Sequence, residues 1–162
     1  MSGSAAVVRA AEPADLDRVV ARWREMMDAH QGLDAELYAV EPHADQSYRA
    51  FARRQMQDHR GLLLVADLPG DPVVGYLLGG LGRRAPVYRV REVGMVFDLG
   101  VRPDQRRTGV GHALVAAAER RFHGWGLRWI QADFAPGNAP ATAFWTGEGF
   151  ATLLCEAYRS IG

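Results

Sequence analysis

The hydrophobic period changes once, sharply, between residues 93 and 122, and this limits the folds open to the chain. Val93, Met95, Phe97, Leu99 and Val101 alternate with Gly94, Val96, Asp98 and Gly100, the pattern of a β-strand. A polar loop over residues 102–108 follows. Val110, Ala113, Leu114, Ala117, Ala118 and Phe122 then recur at helical spacing. The segment predicts a strand, a loop and a helix, with Gly109 and Gly111 at the last junction. Glycine there permits positive φ and close backbone approach. The first amides of a helix have no intrahelical partner and point back into such a loop, so an anion can bind them. Arg106 and Arg107 add positive charge. The chemistry implied is capture of a phosphate or pyrophosphate.

The flanking sequence reads as further helices and strands. Residues 6–10 are a short apolar run, predicted as an edge strand. Pro13 stands where a helix would begin, with Asp15 and Asp17 in its first turn, and the period continues to about residue 29. Residues 45–58 predict a second helix, with Tyr48, Phe51 and Met56 inward. Residues 61–68 and 73–81 are apolar runs joined by Pro69-Gly70-Asp71-Pro72, which predicts a hairpin. Residues 127–134 predict a strand, residues 138–147 a short helix capped by Asn138, and residues 150–158 a final strand. The order is β-α-α-β-β-β-α-β-α-β, a mixed α/β domain over residues 1–162 with no visible boundary.

Composition removes several classes of function. At 17.8 kDa the chain can bury roughly two-thirds of its surface, enough for a full core without a disulfide or metal staple. Lys+Arg and Asp+Glu are both 19, so the net charge is zero, which weighs against nucleic acid or an anionic membrane as partner. No apolar stretch approaches the ~20 residues of a membrane span, and residues 1–8 do not read as a signal peptide. The single cysteine, Cys155, suits a reducing compartment, and a cytoplasmic location is expected. All the basic residues are arginine, so no lysine is available as a Schiff-base nucleophile or phosphate clamp. The histidines at 30, 43, 59, 112 and 123 have no metal-ligand spacing, and no serine lies in a Gly-x-Ser-x-Gly elbow.

Three phosphate-binding readings compete for the glycine loop. A Walker loop needs Gly-Lys-Ser/Thr and is excluded by the absence of lysine. A dinucleotide fingerprint has some support, because Asp133 lies about twenty residues past Gly111 at a strand end. Against it, Leu114 holds the third glycine position, and little chain remains after Asp133. The third reading is a resemblance. Arg106-Arg-Thr-Gly109-Val-Gly111 is similar to the acetyl-CoA loop of the GNAT superfamily of N-acetyltransferases: Gln or Arg, two residues, Gly, one residue, Gly or Ala. Upstream, Asp98-Leu-Gly-Val101 followed by Arg-Pro fits the strand that leads into that loop. Downstream, Asn138-Ala-Pro-Ala141-Thr-Ala-Phe144-Trp145 and then Gly149-Phe150 resemble the superfamily's second motif.

The resemblance implies a mostly antiparallel sheet of six to seven strands flanked by about four helices, splayed between its two central strands. It implies transfer of an acetyl group from acetyl-CoA to a primary amine by direct attack. Backbone groups near Leu99 and Val101 would hold the pantetheine arm, and the amides of Arg106, Arg107, Thr108, Gly109, Val110 and Gly111 the pyrophosphate. Asn138, Phe144 and Trp145 would line the same cofactor. The superfamily usually has tyrosine as the second aromatic of that motif, often the acid that protonates the thiolate. Trp145 stands there instead, and an indole N–H does not supply a proton at neutral pH. Tyr158 is a candidate substitute.

For the base, Asp98 is the first candidate and Glu92 the second. They share one parity of the strand and are expected on one face; a structural or solvated carboxylate accounts for either equally. The acceptor would be a small-molecule or peptide amine, met by the front half of the chain, where Tyr38, Glu36, Glu41, His30, His43 and Tyr48 lie. Homodimerisation is compatible with the superfamily. A non-catalytic acyl-CoA-binding sensor or interaction domain is the alternative from a different class, and Trp145 lends it support.

Overall fold

The computed structural model describes residues 6–162. Most of the predicted leader-free segment, and both Ser2 and Ser4, lie outside that span. Five strands run in chain order through one sheet: β1 (Val7–Ala10), β2 (Gly61–Leu68), β3 (Asp71–Arg83), β4 (Glu92–Val101) and β5 (Ile130–Ala132). The first four pair antiparallel with their neighbours, and β5 joins β4 in parallel. Four α-helices accompany them: α1 (Leu16–Gln31), α2 (Ala44–Gln57), α3 (Val110–Gly124) and α4 (Ala139–Gly147). The β2–β3 hairpin closes at Leu68↔Asp71, around the Pro-Gly turn that the sequence marks.

The sheet is covered on both faces, so β2 and β3 read as continuous apolar runs rather than alternating ones. One core holds Leu64, Leu77, Val96, Leu114, Phe122 and Trp145, under α3 and α4. The other holds Leu16, Val19, Trp23, Tyr48, Val65 and Tyr76, under α1 and α2. Asp15 is the one charged residue buried among the described residues, at 6% exposure. Arg9 grips it through two N–H groups at 2.7 and 3.0 Å, and the Glu12 N–H donates to it over 2.8 Å. This fixes the short 3-10 turn that starts α1, where Pro13 supplies the φ.

Three expectations need correction. The sheet has five strands among the described residues, not six or seven. The strand expected over 127–134 shrinks to Ile130–Ala132, because β4 and β5 part after three paired residues. The final strand expected over 150–158 is absent: residues 151–162 are extended, exposed and unpaired. Their apolar residues carry strand propensity, but propensity needs a partner strand, and none is present within the described chain.

Candidate functional site

The site is built where β4 stops obeying the ladder. Its pairing with β3 runs Leu78↔Asp98 and then Gly79↔Val96, so Phe97 is the extra residue of a β-bulge. The bulge resets the alternation of faces. Val96 lies in the α3 core and Phe97 packs toward the α2 core, while Asp98 meets Tyr48 on that same second side. A Cβ on Gly94 would meet the Phe122 ring at 2.4 Å, which puts Gly94, and with it the parity of Glu92, on the α3 face. Glu92 and Asp98 therefore do not share a face, contrary to the simple parity count. Glu92 sits at the far end of β4, paired with Arg60 at 3.2 Å.

Beyond Val96↔Ala132, β4 continues to Val101 with no partner on its β5 side. The two strands splay there, leaving the backbone of Leu99 and Val101 free along the gap. At the end of β4 the chain enters the glycine turn. Arg107 has φ +62° and Gly109 φ +92°, so left-handed residues bracket Thr108 and turn successive amides toward one side. Gly109 is the N-cap of α3, and no side chain caps the helix. Nothing lies within 4 Å of where a Gly109 Cβ would be. The turn thus leaves open space above free amide donors, a cradle that fits an anion. Arg106 is tethered by its Nε, which donates to the Val101 carbonyl over 3.2 Å. Thr108 Oγ1 donates to the Gln105 carbonyl over 2.7 Å and stiffens the turn.

Gly111 serves packing. A Cβ there would approach the Phe144 ring to 2.9 Å, so α4 docks closely on the start of α3. Asn138 caps α4, its Oδ1 accepting the Ala141 N–H over 3.2 Å. Trp145 is buried between Phe144 and Phe150, with ring centroids 5.1 and 4.9 Å away. Its indole is therefore core, not a wall of the open gap. Tyr158 lies on the exposed final segment, where its hydroxyl donates to Glu156 over 2.7 Å. The structure does not bring it to Asp98.

Asp98 has partners that sequence reasoning did not join to it. The Tyr48 hydroxyl donates to it over 2.9 Å, and the Tyr48 and Tyr76 hydroxyls are 3.1 Å apart. Tyr48 has one proton; given to the carboxylate, it leaves its oxygen to accept from Tyr76. Burial pushes the Asp98 carboxyl above the ordinary carboxylate range, while the Tyr48 hydrogen bond and the charge of His30 oppose that rise. Burial also holds both phenols protonated well above their usual range. His30 Nδ1 is 2.8 Å from the Met26 carbonyl; an N–H there leaves Nε2 as the lone-pair nitrogen. The only sequence signal for this group was the inward phase of Tyr48 on its helix. Tyr38 packs on His30 with centroids 5.1 Å apart, whereas Glu36 and Glu41 sit on an exposed, turned connection. Among the described residues no group of three or more His, Cys, Asp or Glu is placed to hold a metal ion. No helix is long and apolar enough to cross a membrane.

A splayed β4–β5 pair, a bulge beside the splay and a glycine turn opening α3 define a fold that holds an extended anionic cofactor between strands. The model of the acetyltransferase (GNAT) family matches residues 23–150. That span covers most of the chain and both glycine-turn and α4 motifs, and the protein belongs to the GNAT family of acetyltransferases.

Solved structures share the fold. A mutant of the BH1408 protein of Bacillus halodurans superposes with TM-score 0.84 at 18% identity, over 96% of this chain and 99% of that one. An apo aminoglycoside 6'-N-acetyltransferase of Acinetobacter haemolyticus gives 0.74 at 17% identity, over 96% and 98%. A related enzyme, AAC(6')-Iy, in complex with a bisubstrate analogue of CoA and acetylneamine, gives 0.74 at 19%, over 97% and 99%. The Asp133-based dinucleotide reading loses its footing: Leu114, at the third glycine position, is fully buried in the core.

Proposed function

We propose that the protein is an N-acetyltransferase that moves the acetyl group of acetyl-CoA to a primary amine of a small molecule. The observation that carries this is the splay itself: the free β4 edge at Leu99 and Val101 runs from the glycine turn toward Asp98. Membership in an acetyltransferase family and likeness to enzymes crystallised with CoA or a CoA bisubstrate support acetyl-CoA as the donor. In this reading the amides of residues 106–111 bind the pyrophosphate, and the β4 backbone aligns the thioester. Asp98 accepts a proton from the attacking ammonium or amine, directly or through water, within a group whose raised carboxyl suits a base near neutral pH. The amine nitrogen bonds to the acetyl carbon, the C–S bond breaks, and the thiolate leaves with a proton from solvent, since Trp145 has none to give. A cationic amine suits the aromatic and acidic surroundings of α1 and α2. Several structural neighbours are aminoglycoside acetyltransferases, which makes aminoglycosides the first acceptors to try.

A second reading, an acyl-CoA-binding domain without turnover, is favoured by one observation, the buried Trp145 in place of the usual tyrosine. Thermal unfolding with acetyl-CoA, CoA, NAD and ATP, followed by thiol release against an amine panel, separates them. Saturating acetyl-CoA at a hundred times its Kd adds about 2.7 kcal/mol, or roughly 5–10 °C in Tm. A CoA-specific shift with thiol release on amine addition is expected. A shift without release from any amine supports the binding domain, and no CoA shift rejects both.

A further inference from the structure

Residues 151–162 are the part of the described chain that its own fold leaves uncovered. Every one of them is exposed, with Leu153 at 83%, Leu154 at 81% and Ile161 at 96%. None of their backbone groups pairs with the backbone of another described residue. Yet the composition is that of a strand: Leu153, Leu154, Cys155 and Tyr158 are poor residues for a solvated tail. A contiguous exposed run of this kind marks an interaction surface. Its starting point is firm, because the Phe150 N–H donates to the Trp145 carbonyl over 2.9 Å and the two rings pack.

The sheet has a matching gap. β5 is its edge strand, paired only with β4, and its outer side has no partner among the described residues. Beside it lies a groove of 610 Å³ between α3 and β5, lined by Phe122, Leu127, Trp129 and Ile130. Trp129 is 63% exposed on this edge. An open edge with apolar flanks is normally covered.

We propose that residues 151–162 pair as a strand along the free β5 edge of a second copy of this chain, and that the exchange is reciprocal. Each copy has one unpaired strand-like segment and one unpaired edge, so a two-fold dimer satisfies both and closes. The charges agree. The segment carries Glu156 and Arg159, and the edge carries Arg128 and Asp133. The net charge of zero sets up no repulsion between copies. Surface area agrees too. The chain exposes 10668 Å², against about 8,000 Å² for a compact chain of its mass. That excess is larger than the roughly 800 Å² each partner gives to a standard interface. Fully extended, the segment reaches about 40 Å, enough to leave Phe150 and cross to a neighbour's edge.

Sedimentation velocity on the full chain at micromolar concentration tests this. A species of twice 17.8 kDa is expected. Leu154→Pro removes a ladder donor, and Leu153→Asp removes an apolar contact. Both positions are exposed in the single chain, so each variant is expected to keep its circular dichroism and sediment as a monomer. A monomeric native chain, or folded variants that remain dimeric, overturns the proposal. A second measurement does not depend on the variants folding. Benzoylphenylalanine in place of Trp129, in a mixture of isotope-labelled and unlabelled chains, is photo-crosslinked and mapped by mass spectrometry. Links from position 129 to residues 151–162 of the opposite isotope are expected; links only within one copy, or none to this segment, overturn it.

Discussion

The Tyr48 hydroxyl donates to the Asp98 carboxylate over 2.9 Å, tying α2 to the bulged part of β4. The bond crosses from the variable front of the molecule to the strand that flanks the splay. It also joins a fully enclosed phenol, Tyr76, to a carboxylate that retains access to solvent.

Tyr48→Phe should move the acidic limb of the kcat/KM profile to higher pH. Asp98 acts as a base only when ionised, so activity rises with pH through its titration. The Tyr48 bond holds the carboxyl down against burial, and its loss lets the carboxyl rise further. The buried Tyr76 hydroxyl also loses its acceptor, which costs about 1–3 kcal/mol of stability. Tyr76→Phe is the control: Asp98 keeps its donor, and the limb should stay where it is. A limb that fails to move in Tyr48→Phe removes Asp98 from the role of base.

Asp98→Asn should trade activity for stability. Without the base, turnover should fall by about 10²–10⁴-fold, measured by thiol release. The stability effect has the opposite sign. A carboxyl whose folded pKa lies above its unfolded one binds protons more readily in the fold, so its ionisation costs stability as pH rises through that window. The cost is complete above the folded pKa and vanishes below the unfolded one. Asparagine keeps the Tyr48 bond without the charge. Its melting temperature should therefore gain on the native chain as pH rises to neutral, and the gain should close in acid. A variant less stable than the native chain at neutral pH would mean that the carboxylate is held as a structural charge.

Much of this architecture was legible in the sequence because it rests on local patterns. The β2–β3 hairpin follows its Pro-Gly turn, α1 its amphipathic period, and the Asn138 cap its helix start. The cofactor turn was legible because glycine is needed at Gly109, where φ is positive, and at Gly111, where Phe144 leaves no room for a Cβ. The bulge at Phe97 was not, since a single extra residue leaves the alternation of residues 93–101 intact on paper while reversing the face of Asp98. Nor was the Tyr76–Tyr48–Asp98 group, whose members come from three elements and meet only in the fold. The final segment failed for a third reason. Residues 150–158 have the composition of a strand, but a strand is a pairing, and pairing partners are not written in the segment itself.

Asp15 should dominate the acid sensitivity of the front half. Its carboxyl is held below the usual range first by the Arg9 hydrogen bonds, against the opposing effect of burial. A depressed folded pKa gives stability that is present above the unfolded value and lost as pH falls through the folded one. Asp15→Asn should cost about 1–3 kcal/mol at neutral pH, read by urea unfolding. The difference from the native chain should shrink in acid, where the native carboxyl is itself protonated. A difference that does not change with pH would assign the loss to packing rather than to the Arg9 pair.

Gly111→Ala isolates the contact between the start of α3 and α4. Taken alone, alanine inside a helix is better than glycine by roughly 0.8–1 kcal/mol, so propensity predicts a gain. The new Cβ would stand 2.9 Å from Phe144 Cε2, and an aromatic ring wedged against Trp145 at 5.1 Å cannot yield freely. Overpacking of this kind costs about 1–3 kcal/mol, so the single variant should be less stable despite the propensity. Phe144→Leu in the same chain removes the clash and should recover most of the loss, giving a coupling of about 1 kcal/mol in a double-mutant cycle. The cofactor assay divides the two glycines. Gly109→Ala places a side chain at φ +92° and into the open space above the turn, so it should weaken acetyl-CoA binding directly. Gly111→Ala should weaken it only through displaced α4, and Phe144→Leu should restore it. Equal and unrescued losses at both positions would mean that Gly111, like Gly109, is required for the approach of the cofactor and not for the seating of α4.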